Sequence, residues 1–196
     1  AGPERCAEAL RTALAMGADE AALISDERIG GDEFAVARAL AAFLKQEPFD
    51  VVLGGFFSVD NGAGQVAIRV AHLLGIPHVS SIVKLEIDGR KATALRDAEG
   101  DAETVEVSLP ALFTAQQGLN EPRYPSLPGI MQAKRKPFKR LILDDLGLTE
   151  ADVAPKTARV SLALPPARKA GQQLEGDPAQ QAAALVRLLR TEAKVL

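Results

Sequence analysis

The segment with the clearest potential for chemistry is a glycine-rich stretch between an apolar run and a helical one. Residues 54–64 have the sequence GGFFSVDNGAG and follow the apolar residues 51–53. The main-chain N–H groups of residues 61–64 stand at the predicted start of a helix, where the helix dipole favours an anion such as phosphate and glycine lets the main chain approach it. Alternatively, the same residues form a glycine-rich turn that binds no ligand. The segment lacks the lysine of P-loops, which disfavours ATP hydrolysis.

Few other residues are placed to do chemistry. His78 stands at the predicted start of a strand, and the sequence places no nucleophile or paired acid beside it, so we interpret it as structural. Cys6, the only cysteine, lies on an apolar helix face and is expected to pack there. One cysteine excludes an internal disulfide framework, and together with two histidines it disfavours a structural zinc site. The sequence therefore predicts no catalytic residues and no metal site, which favours binding or relay.

A long proline-bounded loop is the second candidate for function. Prolines and a glycine interrupt residues 116–137 until a short helix expected near residues 130–134. Leu127 has no periodic apolar partner there, so it is either tucked under the loop or offered as an anchor to a partner. The basic residues at 134–136 and 139–140 form a solvated patch or steer an acidic partner.

Alternating helices and strands must position these segments. Apolar residues at helical spacing predict helices over residues 4–16 and 65–74, and a third that opens at residue 32 and runs to residue 44. Short apolar runs predict buried strands over residues 21–25 and 51–53. This alternation with short links is typical of an α/β fold, with a mostly parallel sheet covered on both faces.

The second half of the sequence has a different pattern. Residues 78–87, 91–96 and 104–109 are strand-like and separated by turn residues, which predicts antiparallel strands added to the sheet. Residues 111–115 predict another strand. A last helix is expected from residue 177 to about residue 189.

The composition limits the class of protein. The chain has 196 residues, of which 47% are apolar and 25% charged, with a net charge of −3, as in one ordinary soluble domain. Its longest mostly apolar stretch, residues 51–59, is far shorter than the ~20 residues of a spanning helix, so we do not expect a membrane protein. The charge balance does not favour nucleic acid as a partner. We expect a cytoplasmic location, or the mitochondrial matrix in a eukaryote.

Two segments resemble the β subunit of electron transfer flavoprotein. Residues 10–19 are LRTALAMGAD, and residues 118–134 are GLNEPRYPSLPGIMQAK, which is long and specific. The similarity continues through residues 58–60 and 165–171 and so spans nearly the whole chain. The resemblance implies a three-layer, Rossmann-like fold of the adenine-nucleotide α-hydrolase kind. It also implies that a first strand and more of the nucleotide pocket belong before Ala1.

The resemblance further implies a function in electron transport and fatty acid oxidation. In that family the β subunit pairs with an α subunit; the heterodimer carries one FAD, held mainly by the α subunit, and one AMP, held by the β subunit. It passes electrons from acyl-CoA and related dehydrogenases to a membrane quinone reductase. The resemblance therefore implies an electron carrier subunit without catalytic residues of its own.

The AMP site of the family falls on the glycine-rich loop. The implied AMP-binding residues are Ala1, Gly55, Phe56, Phe57, Ser58, Val59, Asp60, Asn61, Gly62, Ala63 and Gly64. Here Phe56 and Phe57 replace a basic residue followed by glutamine, and Ala63 replaces a threonine whose hydroxyl can bind phosphate. Main-chain contacts to a phosphate survive these changes.

The proline-bounded loop matches the family's recognition loop, residues 115–137, which docks dehydrogenases with Leu127 as the apolar anchor. The implied docking residues are Leu119, Asn120, Glu121, Pro122, Arg123, Tyr124, Leu127, Pro128, Ile130 and Met131. Asp97 matches an acidic position that pairs with an arginine of the α subunit, although an ordinary hairpin carboxylate fits it equally well.

The expected organisation is a nucleotide-binding domain over residues 1–140 and a C-terminal arm with a helix over residues 141–196 that docks on the α subunit. One alternative is the electron-bifurcating branch of the family, in which a second FAD replaces AMP and NADH is oxidised. The other is a stand-alone adenine-nucleotide sensor without an α subunit, which leaves the loop and the arm unexplained.

Overall fold

The computed structural model of the chain describes residues 1–60, 62–167, 171 and 173–195. It divides into two compact units, Ala1–Ala158 and Arg159–Leu196, and each is described here by itself. Asn61 of the predicted AMP site and residues 168–170 of the tail that resembles the family lie outside the described residues.

The first unit alternates helices and strands along most of its length. Its α-helices are α1 (Ala7–Met16), α2 (Glu33–Leu44), α3 (Val66–Leu74) and α4 (Leu127–Ala133). Its strands are β1 (Ala21–Ile24), β2 (Val51–Gly55), β3 (His78–Asp88), β4 (Lys91–Ala98), β5 (Asp101–Ser108), β6 (Ala111–Ala115) and β7 (Phe138–Leu141). Short 3₁₀ helices cover Glu4–Cys6, Asp144–Leu146 and Glu150–Val153.

The strands form two sheets. β1 pairs with β7 in parallel, and the second sheet has the order β2-β6-β3-β4-β5. Within it β2, β6 and β3 are parallel, whereas β3, β4 and β5 are antiparallel neighbours. This arrangement confirms the predicted α/β class, with a mostly parallel sheet and added antiparallel strands.

Two predictions about the strands differ from the structure. β7 was not predicted, because its four residues follow Pro137 and include Lys139 and Arg140, so nothing in their pattern marks a strand. The strand over residues 51–53 is present, but Leu53 is 60% exposed and is not buried as expected. β2 lies at the edge of its sheet, and its outer side is therefore less covered than that of a central strand.

Helix α2 connects the cores beneath the two sheets. On one side Ala35 and Ala39 pack in a cluster with Ile24 of β1. On the other side Ala37 packs in a cluster with Leu112 of β6, together with residues of α3. Because alanine is small, α2 approaches its neighbours closely on both sides, and this fixes where α2 and α3 begin relative to the ends of β1 and β2.

The second unit contains helix α5 (Pro178–Leu188), which continues into one π-helical turn, Leu189–Ala193. Asp177 caps α5 by accepting hydrogen bonds from the N–H groups of Ala179 and Gln180, and this confirms the predicted start of the helix. Among the described residues, no helix is both long and apolar enough to cross a membrane.

Candidate functional site

The glycine-rich loop begins where β2 meets α3. A Cβ atom built on Gly54 would lie 2.9 Å from the Cβ of Ala67 in α3, so only glycine fits at this crossing. The loop therefore leaves the carboxyl end of a parallel strand and returns directly into the helix packed on that strand. In α/β folds this is the place where ligands bind. We call residues 55–64 the glycine loop.

Hydrogen bonds within the glycine loop fold it back on itself. The Ser58 N–H donates to the Ala63 carbonyl oxygen at 2.7 Å, and the Gly62 N–H donates to the Ser58 carbonyl oxygen at 2.8 Å. Gly62 has a φ of +65°, a conformation that glycine adopts without strain. Since its N–H is already bonded inside the loop, Gly62 has no main-chain donor left for a phosphate.

The N–H groups after Gly62 are differently placed. The Gly64 N–H donates to no other described residue, whereas Ala63 is paired with Ser58 in an antiparallel bridge; α3 has no side-chain cap at its N-terminus. The Gln65 N–H donates to a carboxylate oxygen of Glu33 at 2.7 Å. Donors directed at an anion would therefore come from Gly64 and the first turn of α3, which places the candidate cradle later in the chain than the sequence suggested.

A cavity of about 600 Å³ lies at the carboxyl end of β1. Its wall includes Ala1, Ser25 and the stretch from Gly30 to Gly31 before α2. The Gly2 N–H donates to the Ile24 carbonyl oxygen at 2.9 Å, which holds the first residues beside β1. We call this space the strand-end cavity. The described residues of the glycine loop, 55–60 and 62–64, are not part of its wall, so they do not share one cavity with Ala1.

The two features are nevertheless neighbours. Glu33, whose carboxylate accepts the Gln65 N–H, is the first residue of α2, and only Asp32 separates it from the glycines of the cavity wall. The start of α2 and the end of the glycine loop are thus within hydrogen-bond distance of each other.

An ion pair stiffens one side of the strand-end cavity. Arg28 binds Asp26 at 2.7 Å and Asp144 at 2.6 Å, and Asp26 also accepts the Leu143 N–H at 3.1 Å. The Arg28 guanidinium holds the pKa of Asp26 well below its usual range, and the two main-chain hydrogen bonds act in the same direction. Asp26 therefore stays ionised, and it ties the end of β1 to the chain that follows β7.

The proline-bounded loop carries an exposed apolar surface on α4. Leu127, Ile130 and Met131 are exposed, at helical spacings of three and four residues, and Tyr124 precedes them. We call residues 119–131 the docking segment. The helix starts at Leu127, earlier than expected, because the Ser126 hydroxyl accepts the Gly129 N–H at 3.1 Å and caps it.

Contacts from Arg123 and Gly129 of the docking segment, and from Lys136 after α4, brace this part of the chain against the end of α1. A Cβ atom built on Gly129 would lie 2.5 Å from the Ala15 carbonyl oxygen, so only glycine allows this approach of main chain to main chain. The Lys136 ammonium group donates to the carbonyl oxygens of Leu14 (3.0 Å) and Ala18 (2.6 Å). The Arg123 guanidinium lies over Gly17, where a built Cβ would meet it at 3.3 Å. The exposed face is therefore presented on a fixed support.

We expect the replacement Gly129→Ala to displace the docking segment from α1. The added Cβ must move away from the main-chain oxygen of Ala15, which costs about 1–3 kcal/mol of stability by overpacking. Unfolding in urea measures that cost. Gly171→Ala is the control, because a Cβ built there meets nothing within 4 Å among the described residues. Equal midpoints for both variants would contradict the proposed bracing.

The remaining residues singled out in the sequence lie apart from these surfaces. Asp97 is exposed on β4 and lies opposite Ala102 of β5. His78 begins β3 at an exposed position, and Cys6 is partly buried at the end of the first 3₁₀ helix. Within the described residues, no group of three or more histidine, cysteine and acidic side chains is arranged to hold a metal ion.

Sequence reasoning missed Glu33 and the wall of the strand-end cavity between Ser25 and Gly31. Gly30 and Gly31 stand just before the helix predicted to open at residue 32, and their place in the wall depends on where β1 ends in space. Nothing in the sequence indicated the role of Glu33, because its hydrogen-bond partner, the Gln65 N–H, is 32 residues away in the chain.

A mostly parallel sheet that presents a glycine-rich loop after one of its strands is the architecture of doubly wound α/β proteins, which bind ligands outside the carboxyl ends of their strands. Comparison with known proteins shows which family of this class the chain matches. Residues 1–146 match the family described as "Electron transfer flavoprotein domain".

Similar proteins are each described as "Electron transfer flavoprotein subunit beta". That of Bacillus subtilis (strain 168) is 53% identical over 100% of this chain and 77% of its own length. That of Syntrophomonas wolfei is 42% identical over 100% of this chain and 74% of its own, and that of Methylophilus methylotrophus is 37% identical over 96% and 74%.

The chain therefore belongs to the electron transfer flavoprotein β-subunit family. This is a family of electron carriers, so membership assigns the chain to flavin-related electron transport. It also implies an α subunit as the partner in a heterodimer.

Proposed function

We propose that the protein docks acyl-CoA and related dehydrogenases, so that their electrons pass to an FAD held mainly by the α subunit and then to a membrane quinone reductase. In this proposal the chain binds AMP and contributes no catalytic residues. The observation that carries it is the docking segment, because an exposed apolar face on a braced helix fits a surface that binds a partner in a defined orientation.

The docking proposal rests on Leu127 and its neighbours. Leu127 is 79% exposed at the first position of α4, and Pro128 follows it and restricts the main chain. An apolar side chain held in this way loses little conformational entropy when it enters a pocket of the partner. The other proposed contacts are Leu119, Asn120, Glu121, Pro122, Arg123, Tyr124, Pro128, Ile130 and Met131.

The AMP proposal rests on the glycine loop and the strand-end cavity together. The cavity of about 600 Å³ lies within the range of about 300–1,000 Å³ that small-molecule sites occupy. We assign the phosphate to the N–H groups of Gly64 and the first turn of α3, where the helix dipole favours an anion, with Ala63 as a neighbouring contact. The remaining proposed contacts are Ala1, Gly55, Phe56, Phe57, Ser58, Val59, Asp60, Asn61 and Gly62.

We also retain the division into a nucleotide-binding domain, residues 1–140, and an arm, residues 141–196, that docks on the α subunit. Support for the arm comes from Val160, Leu162 and Leu164, which are strongly exposed at alternate positions of an irregular segment. Asp97 is proposed as a contact to the α subunit, and its exposed position on β4 is compatible with that role. The cytoplasmic location stays a prediction.

The second candidate function is that of a β subunit in the electron-bifurcating branch of the family. It replaces AMP by a second FAD and adds NADH oxidation. Phe56 and Phe57 favour it, because two aromatic rings with centroids 6.4 Å apart stand where the AMP-binding pattern has a basic residue and a glutamine. The stand-alone sensor loses its support, since the family implies an α subunit.

Released nucleotides decide between the two candidates. We expect that denaturing the purified heterodimer and separating the supernatant by chromatography gives one FAD and one AMP for each heterodimer. Two FAD and no AMP would instead establish the second candidate. If neither compound is released, the nucleotide part of the proposal is wrong.

A further inference from the structure

A second cavity lies next to the docking segment, between α1 and α4. It has a volume of about 310 Å³, and its apolar wall includes Ala15, Pro125 and Ile130. Ile130 shares the exposed face of α4 with Leu127, which lies one turn before it. The cavity thus opens beside the surface that the proposed function assigns to a docked dehydrogenase. We call it the helix-pair cavity.

The rim of the helix-pair cavity is basic. Arg11 of α1 and Lys134 after α4 both line it. Within the described residues, no carboxylate lies within 4.0 Å of the charged groups of Arg11, Lys134 or the adjacent Arg135. The guanidinium of Arg11 instead lies 5.1 Å from the ring centroid of Phe138. An apolar space is therefore bordered by cations without an anionic partner.

From this arrangement we infer that the helix-pair cavity receives an apolar side chain of the docked dehydrogenase, presented next to a carboxylate. The apolar wall takes the side chain, and Lys134 and Arg11 pair with the carboxylate. Each protein then contributes one apolar anchor to the complex. Leu127 enters a pocket of the dehydrogenase, and a side chain of the dehydrogenase enters the helix-pair cavity. The inference rests on the proposed docking function and adds to it the chemistry of the partner's surface.

Filling the cavity tests the apolar part. Ala15→Leu places a larger side chain in the cavity, and Thr12→Leu does the same from another lining position, away from the contact of Ala15 with Gly129. With the FAD-loaded heterodimer and a purified acyl-CoA dehydrogenase that reduces the parent protein, we expect both variants to raise the KM for the dehydrogenase about tenfold with kcat unchanged. An unchanged KM in both variants overturns the inference.

Removing charge tests the carboxylate part. Lys134→Gln should raise the KM about threefold and make it less sensitive to salt, as loss of one desolvated ion pair predicts. Arg135→Gln is the matched control, because Arg135 is the neighbouring cation and does not line the cavity. Equal effects of the two substitutions would indicate a general charge effect and overturn this part.

The outcomes also separate this inference from the proposed function. If Leu127→Ala raises the KM and the cavity variants do not, the docking function stands and the inference is wrong. If neither Leu127→Ala nor the cavity variants change the KM, the dehydrogenase does not dock on this face, and both are wrong.

Discussion

Replacement of Leu127 by alanine should lower kcat/KM for reduction of the heterodimer by an acyl-CoA dehydrogenase about 30-fold, the effect of losing a central apolar anchor worth about 2 kcal/mol. The loss appears mainly in KM, because the side chain contacts the partner and not the flavin. Steady-state reduction of the heterodimer at increasing dehydrogenase concentration measures it. The FAD and AMP contents should not change.

Because Leu127 is exposed, its replacement should change docking without changing the stability of the fold. At 79% exposed it contributes little to the folded chain, so the alanine variant should unfold within about 0.5 kcal/mol of the parent. Ile87→Ala is the matched control, since Ile87 is also a large exposed apolar residue but lies on β3, outside the docking segment. If both variants reduce kcat/KM equally, or if neither does, Leu127 is not the anchor.

Local patterns in the sequence predicted most of the elements that support the site. The helix that Asp32 caps runs to Leu44 as expected, and the strand over residues 111–115 has the predicted bounds. Both depend on signals that are close in the chain, such as a capping side chain, an apolar run and a proline. The glycine loop was located for the same reason, since a strand, a glycine run and a helix follow one another directly.

Contacts between distant residues could not be predicted in this way. The Lys136 ammonium group binds Leu14 and Ala18, which are 122 and 118 residues away, so the basic cluster alone gave no reason to separate Lys136 from the other basic residues around it. β7 is a strand only because β1 pairs with it. The engagement of the Gly62 N–H inside the glycine loop likewise depends on the folded geometry of the loop.

Replacement of Asp32 should have the largest effect on the free energy of unfolding, because its buried carboxylate connects two parts of the chain. It is 8% exposed and caps α2 by accepting the N–H groups of Phe34 (2.9 Å) and Ala35 (3.1 Å). It also accepts hydrogen bonds from the main-chain N–H and the hydroxyl of Thr157. The replacement Asp32→Ala removes all of these acceptors and leaves the buried Ala35 N–H and three partly buried donors without partners. We expect it to lower the free energy of unfolding by about 3 kcal/mol.

Asp32→Asn separates the two roles of this carboxylate. Asparagine is an equally good helix cap, but its amide cannot accept both hydrogen bonds from Thr157 while it caps α2. We expect a loss of about 1 kcal/mol for this variant, because the cap is retained. Urea unfolding of the parent and the two variants gives both values. A loss for Asp32→Asn as large as that for Asp32→Ala would mean that the negative charge, and not the cap, dominates.

The contribution of Asp32 should also depend on pH. The hydrogen bond from the Thr157 hydroxyl, together with those from the main chain, lowers the pKa of Asp32 to about 2 from an ordinary value of 3.8. A lowered pKa means that the folded chain binds this proton less readily than the unfolded chain, so the contribution is complete above pH 3.8 and is lost as the pH falls toward 2. Other acidic groups titrate in the same range, but they are common to the parent and to Asp32→Ala. The difference in stability between the two proteins should therefore shrink as the pH is lowered from 5 to 2. A difference that stays constant over this range would show that Asp32 is not held ionised by Thr157 and the start of α2.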